Sequence, residues 1–300
     1  MKIIEIPGAD VLRYAAFTLD PAGGNPAGVV LDAASLDDAA MQRIATEVGY
    51  SETVFLRALP EAEVGSTGAA TPGVRTFDAR YFSPLAEVPF CGHATIAGAV
   101  ALAVQDGPGL LSLTTRAGQV MVKSGHDADG HLSATLTSVA TRIAVPAHED
   151  LAEALAALGW REDELDPALP VRVAYAGAHH LLLATATRER LADLDYDFDR
   201  LAELMRARGW STLQLVWRET EHVFHSRNPF PIGGVVEDPA TGSAAAALGG
   251  YLRELGLVTP PVTLRLHQGD GLGRPSLLTV AVDADEPGIR VTGTAVPIKE

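Results

Sequence analysis

Apolar residues recur at Leu36, Ala40, Met41, Ile44, Ala45 and Val48, a spacing that places them on one face of a helix. Ser35 stands at the N-cap position with Asp38 three residues on, and Gly49 follows as the stop. Thr53-Val54-Phe55-Leu56, dense in β-branched and aromatic residues, predicts a strand. A second strand, Arg80-Tyr81-Phe82, ends at Ser83-Pro84, and residues 60–73, rich in Gly, Ala and Thr, predict a loop. Residues 96–104 are apolar on every side, which predicts a buried helix and not a surface one. Strands at 111–114 and 119–123 follow.

The second half repeats this order. A helix near 198–208 stops at Gly209, strands occupy 212–217 and 222–226, and Asn228-Pro229 makes the turn. A Gly-containing loop then leads into a small-residue helix from Ala244 to Leu255, ended by Gly256, and strands at 262–266 and 277–282 close the series. Each half therefore reads as helix, strand, strand, Pro turn, Gly-containing loop, buried small-residue helix and two strands. Cys91 and Asp238, equivalent in this alignment, lie about half the chain apart, too long a period for a solenoid. A duplicated domain is expected, each half wrapping a sheet around an apolar helix, with a site in the cleft between them.

Composition narrows the class. With 23 basic and 38 acidic residues the formal net charge is −15, which argues against nucleic acid and against an anionic membrane surface. Hydrophobic residues make up 47%, enough for a large core. No signal peptide is read at the start, and no apolar window is long enough to span a bilayer, so a cytoplasmic location is expected. The single cysteine, Cys91, excludes a disulfide within the chain and a Cys-rich zinc site.

The chemistry concentrates in the two loops, Pro89-Phe90-Cys91-Gly92-His93-Ala94-Thr95 and Glu237-Asp238-Pro239-Ala240-Thr241-Gly242-Ser243. Each offers backbone N–H groups at the start of a buried helix, and these amides with the helix dipole favour an anion. The bland alternative is plain capping by Thr95, Thr241 and Ser243. His93 is a residue easily set to titrate near neutrality. Asp238 beside helix amides suits an orienting group or conjugate base. Glu52, between Ser51 and Thr53, is either a solvent-facing strand-edge residue or a buried proton carrier. Cys91 at a helix start is either a thiolate base or a small buried hydrophobe. Weaker signals fail their context. Gly269-Asp270-Gly271-Leu272-Gly273 does not open a helix, and His179-His180 and His222 with His225 lack a third partner at metal spacing.

Taken together, Gly24-Asn25-Pro26-Ala27-Gly28-Val29, Met41-Gln42-Arg43-Ile44-Ala45, Ser51-Glu52-Thr53, the two loops running on to Ala244-Ala245, and Gln268-Gly269 with Gly273-Arg274-Pro275-Ser276 resemble the phenazine-biosynthesis PhzF-like family. The resemblance runs in order over most of the chain. It implies an α+β, diaminopimelate epimerase-like fold of two pseudo-symmetric halves, each a curved, mostly antiparallel sheet around a central helix. The halves expected are residues 1–125, completed by the tail 287–300, and residues 126–286. It further implies a homodimer and an isomerase that moves a proton within a small carboxylate without metal or organic cofactor. Carried over residue by residue, Glu52 is the proton shuttle and His93 and Asp238 are the other catalytic groups. Asn25, Gly242 and Ser243 are carried over as substrate contacts, and the helix-start amides of Gly92 to Ala94 and of Gly242, Ser243 and Ala244 are expected to hold the substrate's anion. Related racemases use two thiols, one from each loop. The second loop here holds no thiol, so a Cys91/Asp238 pair is the racemase-like alternative, and a catalytically silent small-carboxylate binder is another.

Overall fold

A computed structural model describes residues 4–6, 9–60 and 73–299 of the chain, so most of the loop expected at 60–73 lies outside the described residues. Two compact units result: Met1–Thr137 with Thr292–Glu300, and Ser138–Val291. The breaks fall after Thr137 and Val291, where the sequence reading puts them after residues 125 and 286.

The first unit carries β1 (Ile4–Ile6), β2 (Ala9–Ala16), β3 (Asn25–Val30), α1 (Asp38–Val48), β4 (Glu52–Ala58), β5 (Val74–Phe82), β6 (Glu87–Val88), α2 (Gly92–Asp106), β7 (Leu110–Thr115), β8 (Gly118–His126) and β9 (Leu132–Thr137). The second carries β10 (Arg142–Ala144), α3 (His148–Leu158), β11 (Arg172–Tyr175), β12 (His179–Ala184), α4 (Arg188–Ala192), α5 (Phe198–Arg208), β13 (Trp210–Arg218), β14 (Val223–Arg227), β15 (Pro229–Phe230), β16 (Val235–Glu237), α6 (Gly242–Glu254), β17 (Val262–Gln268) and β18 (Ser276–Val282). The last strand, β19 (Arg290–Pro297), returns to the first unit, where it pairs with β2 and β9.

In the first unit β2 pairs with β3 antiparallel, β3 with β4 parallel, β4 with β5 antiparallel, β5 with β7 parallel and β7 with β8 antiparallel. β9 follows β8, and β19 joins β9 to β2, closing an eight-strand barrel. The second unit repeats the alternation: β11–β12 antiparallel, β12–β13 parallel, β13–β14 antiparallel, β14–β17 parallel and β17–β18 antiparallel. The parallel steps are crossovers, and each carries a helix, as a parallel connection requires. Thus α1 joins β3 to β4 and α2 stands between β5 and β7, while α5 joins β12 to β13 and α6 stands between β14 and β17.

The helices divide by their surroundings. α1 has one apolar face and lies over the sheet, where Met41, Ile44 and Ala45 pack on Val11, Val30, Phe55 and Phe82. Asp37, not Ser35, caps it, its carboxylate accepting from the Ala40 amide at 2.7 Å, and Gly49 ends it at φ 71°. α2 instead packs against β2, β3, β4, β8 and β9, and every residue from His93 to Ala103 is buried. α6 packs in the same manner on β10, β11, β12 and β18. Small residues let the wall come close at particular points along each helix. At Gly249, a Cβ would stand 2.9 Å from both Ile289 and Val280, so the sheet approaches the helix axis as closely as glycine permits.

Candidate active site

Glu52 is the first residue of β4, and its strand partner is Ala27, two residues after the buried Asn25 that begins β3. Cys91 precedes α2 in an extended conformation, and Gly92, His93 and Ala94 form the first turn. The barrel thereby brings three side chains to one point. Cys91 Sγ lies 3.6 Å from Glu52 Oε2 and 3.3 Å from His93 Nδ1, and His93 Nε2 lies 3.4 Å from Glu52 Oε2 and 3.4 Å from Ser51 Oγ. The Glu52 side chain is 15% exposed and that of His93 6%. Of the two readings of Glu52, the solvent-facing one is excluded. Burial pushes its carboxyl above the usual range, against smaller opposing hydrogen bonds from Ser51 and Cys91.

A second set of bonds fixes the backbone beneath. Thr95 Oγ1 donates to the Cys91 carbonyl at 2.7 Å and shares a 2.7 Å bond with the phenol of the fully buried Tyr81. Thr95 is thus turned inward and does not cap the helix. No side chain caps α2 or α6, so plain capping by Thr95, Thr241 and Ser243 is not what these residues do.

In the second unit the loop before α6 is held from several sides. The Thr241 hydroxyl donates to Asp238 Oδ2 at 2.5 Å. Gln268, 1% exposed, donates through Nε2 to the Asp238 carbonyl at 2.7 Å and accepts the Thr241 amide through Oε1 at 3.2 Å. Arg227 Nη2 meets Glu237 Oε2 at 2.6 Å, and Nε bonds both carboxylate oxygens at 3.1 Å. Gly269 sits at φ 82°, where a Cβ would stand 2.3 Å from the Arg274 carbonyl oxygen and 2.8 Å from that of Pro239. Gly269→Ala therefore combines a left-handed backbone with a backbone clash, and we expect it to destabilise the second unit by about 2 kcal/mol or more in thermal unfolding.

Ser243, in the first turn of α6, is joined to a histidine that sequence spacing had set aside. His180 Nε2 lies 3.1 Å from Ser243 Oγ, and Nδ1 lies 2.8 Å from Thr212 Oγ1, which accepts from Asn228 Nδ2 at 3.1 Å. Burial pushes the His180 pKa down to about 3, so the ring is neutral. Nothing in His179-His180 marks this role. The signal available is its place directly before the apolar run Leu181-Leu182-Leu183, on a strand that packs against α6.

The chain matches the family model described as phenazine biosynthesis-like protein over residues 14–300. A Bacillus subtilis protein named an uncharacterized isomerase is 30% identical, the match covering 96% of each chain. Among solved structures, a Bacillus anthracis phenazine biosynthesis protein of the PhzF family superposes with a TM-score of 0.82 at 25% identity, covering 97% of both chains. A Pseudomonas aeruginosa protein described as a predicted epimerase gives 0.80 at 29% identity, covering 97% of this chain and 98% of that one. The expected diaminopimelate epimerase-like fold holds, and the chain belongs to the phenazine biosynthesis-like protein family.

Proposed function

We propose that this isomerase moves a proton within a small carboxylate substrate, with Glu52 as the group that removes and returns it. The observation that carries the reading is the buried Glu52 carboxyl, raised in pKa and ringed by Ser51, Cys91 and His93 at the start of an uncapped helix. A carboxyl with an elevated pKa is a stronger base when ionised and a competent acid when protonated, which a proton shuttle needs. The amides at Gly92–Ala94 supply a positive dipole end for a carboxylate or a developing enolate. His93, against Glu52, is assigned to polarising that charge. The carboxyl that the first unit itself sets beside the Cys91 thiol is Glu52, at 3.6 Å, which favours the glutamate scheme over a Cys91/Asp238 pair.

The reading is tested by incubating the purified protein with small carboxylates in D2O. Label entering one carbon of a carboxylate, together with formation of an isomer, is expected. Tight binding with no label would instead make the protein a silent binder.

The same burial has a thermodynamic signature. A carboxyl whose folded pKa exceeds its unfolded value leaves the native state holding more protons than the unfolded state between the two values. Stability is then lost as pH rises through the folded pKa, and the loss persists above it. Glu52→Gln removes that penalty. Its Tm should exceed that of the parent at pH 8, and the difference should shrink below about pH 4, near the unfolded carboxyl value. Thermal melts of both proteins across that range provide the check.

A further inference from the structure

We propose that His225 and His267, stacked on the outer face of the second unit's sheet, form a proton-operated device that loosens the turn after β17 in mild acid. The two are register partners on β14 and β17. His225 alternates along its strand with the buried Phe224 and Ser226, so the two rings stand on the opposite face. Their centroids are 5.0 Å apart and their planes 20° from parallel. His225 Nε2 lies 2.8 Å from Glu219 Oε2, and Nδ1 lies 3.9 Å from Asp270 Oδ2. Trp217, the partner of His225 on β13, continues the row at 5.4 Å, with the Arg188 guanidinium 5.8 Å over its ring.

This arrangement holds one added proton well and a second badly. Protonated His225 has an N–H for each carboxylate, Glu219 just past the end of β13 and Asp270 in the turn. A proton on His267 then places two like charges in stacked rings. Burial first, then His225 and Arg265, hold the His267 ring below the usual histidine range, and Asp270 and Glu219 oppose them only in part. Of the other charged groups on this face, Arg188 acts on Glu219, and Arg227 is paired with Glu237.

The strands are fixed by their ladder, so the part free to give way is the turn. Gly269 and Gly273 bound it at φ 82° and 66°, and it carries Asp270. Opening hydrates the His267 ring and lets it titrate as an ordinary imidazole. A group whose pKa is lower closed than open makes opening easier as pH falls below about 6.5, the ordinary histidine value. The turn starts beside Gln268, which bonds the Asp238 carbonyl and the Thr241 amide, and this joins the device to the loop before α6. The device is independent of the isomerase reading, because it is read without ligand or turnover.

Two measurements on the full chain test it. In ring-proton NMR titrations, the proton affinity of His267 should be about threefold or more higher in His225→Gln than in the parent. Amide hydrogen exchange across residues 269–274, corrected for the intrinsic rate, should rise about threefold or more in the parent between about pH 7.5 and about pH 5. His267→Phe keeps a flat ring without a titrating nitrogen and should remove that rise. His222→Gln, at an exposed pair with Glu221, should leave both readouts unchanged. Thermal melts confirm that each variant folds, and His267→Gln replaces His267→Phe if the latter does not. An unchanged His267 affinity in His225→Gln, exchange in the parent that does not rise in acid, or a rise that persists without His267 would overturn the proposal.

Discussion

Glu52→Gln should lower turnover by about 10²–10⁴-fold, the range that a positioned general acid–base group supplies. The amide keeps the size of the side chain and can still meet Ser51 and Cys91, so the pocket stays filled. It has no basic lone pair to take a proton from carbon. Because the carboxyl acts on the reacting atoms and not on the bulk of substrate binding, the loss should fall on kcat, with KM changed only a few-fold. Initial rates over a range of substrate concentration separate the two. A variant that lost mainly KM would place Glu52 among the binding groups and remove it from the chemistry.

The second large effect concerns stability. In Arg227→Met, the Glu237 carboxylate, whose side chain is fully buried, loses the guanidinium that bonds both its oxygens. An uncompensated buried charge costs about 3–5 kcal/mol. For a unit of this size that corresponds to a fall of roughly 10 °C in Tm. Arg227 also donates Nη1 to the Ala192 carbonyl at 2.7 Å, so the loss includes one end of α4. The pairing makes a stringent check available. Arg227→Met combined with Glu237→Leu removes both charges, and most of the lost stability should return, since a well-packed apolar pair is often no worse than a buried ion pair. Thermal or urea unfolding of the single and double variants measures both. A single variant within about 1 kcal/mol of the parent would mean that water reaches Glu237 once Arg227 is removed.

The helices were the most legible part of the fold. The 3.6-residue face of Met41, Ile44 and Ala45 and the all-apolar run of α2 follow directly from side-chain type, and α5 was read at its observed limits. β3 escaped because Asn25-Pro26-Ala27-Gly28 carries residues that weaken a strand. It forms nonetheless, because its neighbours supply the ladder: β2 on one side and β4 on the other. Between residues 126 and 197, α3 is legible by the same rule as α1, since Leu151, Ala154, Leu155 and Leu158 share one helical face and Gly159 follows as the stop. The short apolar run of β12 does not by itself distinguish strand from helix, and packing decides it, as where Leu181 shares a core with Trp160 and Met205.

Site residues divide in the same way. His93, Cys91 and Asp238 stood out because each lies in one of two matching Gly-containing loops that lead into a buried small-residue helix. Glu52 did not, since one Glu before a strand is ordinarily exposed. Only the position of β4 beside the α2 N-terminus buries it, and that is a fact of the closed barrel. Gln268 stands in the sequence only as part of the family-like motif and His180 only as a failed metal-ligand candidate, for a related reason: their importance lies in the bonds they make to Asp238, Thr241 and Ser243, far away in sequence.

The central claim is that Glu52, and not Cys91, carries the proton. Deuterium incorporation from D2O by Glu52→Gln and Cys91→Ser, measured side by side on one substrate, tests it most directly. The account predicts that Cys91→Ser keeps exchange within about tenfold of the parent while Glu52→Gln loses about 10²-fold or more. Exchange that persists in Glu52→Gln and disappears in Cys91→Ser would contradict it.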